Sequence, residues 1–250
     1  MTVATARTVG SHGARGILLG SVAVTLLLYV IPFGRLIGLP LVLLSTLAHE
    51  LGHGLTALLL GGRFQRFMMW ANGSGIAEME LAGFGALRQG LTIAGGLVGP
   101  AVAAALCFAF GRTAKGARAC LWGLGIFLAL IDLALVRNLF GFFFVGMLAA
   151  GALLAAAKAS PDGVRWVVVF VGVQLALAVF SRADYLFTPY ARTGAGVFPS
   201  DVSQLAEALW LPYWFWGLVC GGFSVAVLIY GSLVYWGRTP RRRTSGLPHA

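Results

Sequence analysis

Charge is scarce in this chain. Only 10% of its 250 residues are Asp, Glu, Lys or Arg, whereas a soluble domain carries about 25%. That deficit excludes an ordinary soluble globular protein. With 59% hydrophobic residues, it points to a polytopic integral membrane protein. Cysteine is scarce too. Cys107, Cys120 and Cys220 lie apart, in or beside apolar segments, so neither a disulfide framework nor a cysteine metal knuckle is expected. No internal repeat or low-complexity tract is found, which weighs against the repeat-built transporter folds. The first apolar run, from Ile17 to about Ile37, is followed by no clear small-residue cleavage site. It is too long for a signal-peptide core and reads as a retained first helix.

What is abundant is apolar sequence of membrane-spanning length. Candidate spans run near 17–38, 40–61, 91–111, 119–136, 138–157, 164–181 and 209–236. The expected fold is all-α: a transmembrane helix bundle of six or seven spans in a single domain over 1–250. Basic tails at 1–16 and 237–250 flank it, the latter holding Arg238, Arg241, Arg242 and Arg243. The net charge of +10 comes mostly from residues between apolar runs, where they set topology and meet anionic headgroups. Membrane lipids are therefore expected partners and nucleic acid is not. With seven spans, a cytoplasmic C-terminus puts the larger share of basic residues inside. Gly95 with Gly99, and Gly217 with Gly221, give the small-residue spacing of helix packing faces.

Two segments are not simple spans. Residues 62–90 hold two short mixed runs around Asn72-Gly73, a strong hairpin signal. Residues 182–208 form a polar connection carrying Asp184, Asp201 and Glu207.

Polar residues interrupt the second run at "TLAHELGHGL", Thr46 to Leu55. Of four histidines in the chain, the two internal ones, His49 and His53, both fall here. Four apart on a helix, they lie one turn apart on one face and can bind a single metal ion. Glu50 stands where it reaches a water rather than the metal. This is the HExxH arrangement of zinc hydrolases, with Glu50 as general base. A charge at mid-membrane costs about 2.5–3.5 kcal/mol on insertion scales, so such groups are rare without a task. A buried Glu–His hydrogen-bond network holding helices together is the blander reading.

A catalytic zinc takes three protein ligands, so a third must come from the few acidic residues. Asp132, in "FLALIDLALVRNLF", lies deep in a span; its alternative is an ion pair with Arg137. Asp201, in "FPSDVSQLAEALWLP", stands where a helix begins; its alternative is N-capping with Gln204 in a capping box. Spacing alone leaves both open.

"HELGHGLTALLLGGRF" followed by "GGLVGPAVAAAL" resembles the site-2 protease family of intramembrane zinc metallopeptidases, and more narrowly its compact bacterial branch without a PDZ domain. "VRNLFGFFFVG" and "SDVSQLAEALWLPYWFWG" are similar to later segments of that branch. The resemblance covers about 45–225. It implies Zn2+ held by His49 and His53, Glu50 as the base, and an aspartate as the remaining ligand. The Leu-Asp-Gly motif of better-known members is missing; "SPDGV" at Asp162 is its nearest echo. In the compact branch the Ser-Asp pair before a Gln-Leu-Ala helix is the most constant acidic feature, and on that resemblance Asp201 stands ahead of Asp132.

The expected function is thus an intramembrane zinc metalloendopeptidase of the bacterial cell membrane, with a transmembrane protein as substrate. The hairpin after the HExxH helix would hold an unwound substrate segment by strand pairing. Asn72, or Arg137 with Asn138, would donate to the oxyanion. Two rivals stand beside this reading. One is an inactive relative serving as a membrane scaffold or chaperone; the other is a transporter using Asp132 and Glu50 along an ion path.

Overall fold

The computed structural model describes residues 34–181 and 183–237, together with positions 16, 19, 20, 22–24, 26, 27 and 30. Most of the expected span 17–38 and nearly all of both basic tails lie outside the described residues. The chain runs α1 (Gly34–Leu59), β1 (Arg63–Met69), β2 (Gly75–Glu80), α2 (Ala86–Gly111), α3 (Ala114–Leu135), α4 (Leu139–Lys158) and α5 (Pro161–Ser181). A short 3-10 turn (Ala183–Phe187), β3 (Tyr190–Thr193), β4 (Gly196–Pro199), α6 (Asp201–Leu209) and α7 (Tyr213–Tyr235) follow. It is an all-α helix bundle carrying two small hairpins. Among the described residues, five stretches are long and apolar enough to cross a membrane: α2, α3, α4, Pro161–Phe187 and α7. The chain is an integral membrane protein.

Helix α2 is the central post, packed against α1, α5, α6 and α7. Its contact with α1 is made through glycine. A Cβ on Gly99 would stand 2.6 Å from the Ala48 carbonyl, and one on Gly95 2.9 Å from that of Gly52. Such bare faces let two helices approach to backbone contact, the main route to tight packing where lipid removes the hydrophobic drive. Gly217, by contrast, receives the Leu186 carbonyl of the 3-10 turn. Helices α3 and α4 form an outer pair whose inner side chains, Leu128, Ile131, Phe144 and Val145, join Leu43, Leu47 and Leu51 of α1 in one core.

The first hairpin reaches into this core. β1 and β2 pair antiparallel from Arg63 with Glu80 to Met69 with Gly75, with a register shift between Phe64 and Arg66. Asn72-Gly73 makes the turn as expected: Gly73 takes φ +88, and Asn72 Oδ1 accepts the Ser74 N–H at 3.0 Å. Alternation along β1 sends Phe64, Phe67 and Met69 into the core and leaves Arg66 to pair with Glu78 at 2.6 Å outside. The outer edge of β1 is closed. Arg137 N–H donates to Phe67 O at 3.0 Å, and the Asn138 amide bridges the Met69 N–H and C=O. Among the described residues, no strand lies beside the other edge of β2.

The 182–208 connection is more ordered than its composition suggests. It holds the hairpin β3–β4, pairing Tyr190 with Pro199 through Thr193 with Gly196. The two hairpin tips meet. Gly194 N–H donates to Ser74 Oγ at 2.9 Å, and Gly194 lies so close under the Trp70 ring that a Cβ would fall 2.5 Å from it.

Candidate metal centre

The site begins with the helical repeat of α1. His49 and His53, one turn apart, turn their rings edge to face, with centroids 4.7 Å apart and Nε2 atoms 3.2 Å apart. The orientation of His53 is set from behind. Its Nδ1 lies 3.1 Å from the Thr92 carbonyl of α2, which makes Nδ1 the protonated nitrogen and leaves the Nε2 lone pair directed into the site. Its ring rests on Gly96, where any Cβ would overlap the imidazole.

Asp201 supplies the third donor. Its Oδ2 is 2.8 Å from His49 Nε2 and 3.3 Å from His53 Nε2. The expected alternative for Asp201, capping its own helix, is not what the backbone does. Ser200 is the N-cap of α6 and its side chain accepts the Ser203 N–H; Gln204 donates to Pro199 O instead. With the cap filled, Asp201 at the first helical position is free to face α1. Burial alone would raise its carboxyl, but the imidazoles of His53 and His49, when both ring nitrogens carry protons, outweigh that and hold it well below the usual carboxylate range. Tyr185 O–H approaches Asp201 Oδ2 at 3.4 Å, and its ring meets that of His49 edge-on at 6.0 Å.

These three atoms suit a tetrahedral metal. Two ligands each about 2.1 Å from zinc stand roughly 3.4 Å apart at the tetrahedral angle; the separations of 3.2 and 3.3 Å lie just below that value, and the 2.8 Å between His49 and Asp201 is shorter. Two imidazole nitrogens and a carboxylate oxygen are a common donor set for zinc. Among the described residues, His49, His53 and Asp201 are the one group of three or more His, Cys, Asp or Glu that converges in this way.

Glu50 stands beside the cluster without joining it. Its Oε2 accepts the Ala77 N–H of β2 at 2.8 Å, and Thr46 Oγ1 donates to Gly73 O at 2.7 Å, so α1 moors the hairpin at two points. A cavity of about 260 Å³ opens here, with His49, Glu50, His53, Ala77, Asp201 and Phe198 in its wall. A second of about 110 Å³ continues from His49 and Glu50 past Ser45 and Ser224 into the bundle.

Other expected participants lie elsewhere. Asp132 is buried between α3 and α4, its Oδ2 facing Gly146, and is not brought to the histidines. Arg137, its suggested partner, donates to the carbonyls of Ala134 and Val136. Asn72 is occupied at the hairpin tip, and Asn138 at Met69; neither they nor Arg137 line the two cavities. Thr92, Gly96 and Tyr185 were not singled out by the sequence. Only the glycine doublet at 95–96 hinted that something presses there.

The placement of Gly96 gives a testable consequence. Gly96→Ala forces the His53 ring to shift, and overpacking of this kind costs about 1–3 kcal/mol. A roughly ten- to hundredfold loss of zinc affinity is expected at that cost, with the helical content unchanged; competition against a zinc-sensitive dye measures it.

No curated protein and no solved structure matches the chain. Residues 18–231 do match the family model described as Peptidase M50B-like, which spans the histidine helix, both hairpins and Asp201, and on that match the chain belongs to the M50B-like peptidase family.

Proposed function

We propose that the chain is an intramembrane zinc endopeptidase of the bacterial cell membrane, hydrolysing a peptide bond in or near the transmembrane segment of a membrane-protein substrate. The observation that carries this reading is the convergence of His49 Nε2, His53 Nε2 and Asp201 Oδ2 from two helices distant in sequence. When bound, zinc supplies a Lewis acid and brings the pKa of water towards about 7.

The chain's own residues do the rest. Thr92 fixes the tautomer of His53, and Tyr185 steadies Asp201. Glu50, in the wall of the same cavity, takes the proton of the attacking water and delivers it to the leaving amine. The open edge of β2 faces the cavity through Gly75, Ala77 and Met79. An unwound substrate segment pairs along it as an added strand, which carries the scissile bond past the metal. That segment competes with Glu50 for the Ala77 N–H.

The test uses the purified full chain in a lipid bilayer with a labelled transmembrane peptide. About one zinc per chain is expected, with cleavage lost on chelation and restored by added zinc. His53→Ala carries no zinc and does not cleave. A chain that binds zinc yet cleaves none of a panel of transmembrane peptides would instead be an inactive scaffold.

A further inference from the structure

Two arginines are drawn into the bundle at the end opposite the metal site, and the fold treats them differently. Arg118 of α3 is fully engaged: its two terminal nitrogens donate to the carbonyls of Ala156 and Ala159, where α4 ends. Arg165 of α5 is not. Its side chain is only 9% exposed, yet Nε and Nη2 are buried with no hydrogen-bond partner among the described residues. Nη1 lies 3.3 Å from Asp162 Oδ1, but that carboxylate is 91% exposed, and such an ion pair is largely screened. A buried guanidinium with two idle donors is costly unless something fills them.

The surroundings say what would. One turn beyond Arg165, Val169 packs with Tyr235 against Gly111, where α2 ends. Arg112, the next residue, brings its Nη2 to Gly237 at the end of α7, 3.5 Å from where a Cβ would be. One guanidinium thus reaches the end of α7, and the other lies one turn from the Val169–Tyr235 contact at the same end of the bundle. Lys115 and Lys158 flank the same end, and Asp162 is its one acidic residue among those described. A guanidinium fork presents parallel donors that match a phosphate better than a single carboxylate oxygen does.

We propose that Arg165 and Arg112 form a binding site for a phosphate group, supplied by the headgroup of an anionic lipid or by free phosphate. A cytoplasmic C-terminus, the orientation expected with seven spans, sets this end against the leaflet in which anionic lipids are concentrated. Tyr235 and Trp236 stand at the end of α7, where amphipathic rings sit at headgroup depth. The site is independent of peptidase activity.

The test measures thermal unfolding of the full chain in bilayers of phosphatidylcholine, with phosphatidylglycerol or inorganic phosphate added in separate arms. Native mass spectrometry counts the lipid retained. Phosphatidylglycerol raises the unfolding temperature of the wild type by several degrees. Arg165→Gln loses more than half of that rise and retains less lipid, while in pure phosphatidylcholine it unfolds no earlier than wild type. Arg112→Gln weakens the response without touching the buried position, and it decides the matter if Arg165→Gln does not fold. A rise given by inorganic phosphate alone, and lost in the same variants, assigns the site to the soluble anion. An equal rise in wild type and both variants, or a wild type retaining neither lipid nor phosphate, overturns the proposal.

Discussion

Replacing Glu50 by glutamine is expected to lower kcat by roughly a thousandfold, within the 10²–10⁴ that a positioned general base contributes, and to leave the metal in place. Glutamine has the same length and keeps a carbonyl oxygen. It therefore still accepts the Ala77 N–H that Glu50 Oε2 holds at 2.8 Å, and β2 stays where it is. What is lost is basicity. None of the three converging donors is touched, so zinc content measured on the sample used for kinetics should equal that of wild type. A variant that kept its zinc and cleaved at the wild-type rate would remove Glu50 from the chemistry.

Changing Asp201 to alanine is expected to abolish cleavage by the opposite route, through the metal. Loss of a residue that merely supports a ligand lowers zinc affinity about 10–100-fold, and loss of a ligand should exceed that. The helix itself should survive. Ser200 caps α6, and Val202 and Leu205 remain buried beneath it. Circular dichroism should therefore match wild type while zinc occupancy falls to a small fraction. Asp132→Ala serves as the contrast: the same substitution, at a carboxyl beside Gly146, leaves zinc content unaltered. Equal zinc loss in both variants would argue for a general disturbance of the bundle, and unaltered zinc in Asp201→Ala would remove the aspartate from the ligand set.

The two imidazoles were legible in the sequence because their relation is local. A spacing of four on a helix is geometry that needs no tertiary fold. Asp201 was not legible in that way. It lies far along the chain, and depth in the apolar pattern favoured Asp132, a position that turns out to face α4. Only the resemblance of the Ser-Asp-Val-Ser-Gln stretch placed Asp201 first. The N-cap alternative failed for a small reason: with Ser directly before Asp, the hydroxyl takes the cap and the helix begins one residue earlier, at Asp201 itself. The hairpin at Asn72-Gly73 was visible because its turn demands particular residues. The β3–β4 hairpin escaped notice because its strands are four residues each, too short for an alternating pattern to emerge. Thr92 contributes to the site through its backbone carbonyl, which no side-chain motif can announce.

The meeting of the two hairpin tips makes a closed loop of protein around the cavity. Gly194, Ser74 and Trp70 complete the ring, and a long polypeptide cannot be laid sideways through a ring that stays shut. The clasp is slight: one neutral hydrogen bond, of a kind worth about 1 kcal/mol net, and one face of an indole. Parting it lies within reach of ordinary loop motion on the nanosecond-to-microsecond scale. On the proposed endopeptidase reading, admission of an internal stretch of substrate then costs little, and no free chain end is needed to start from.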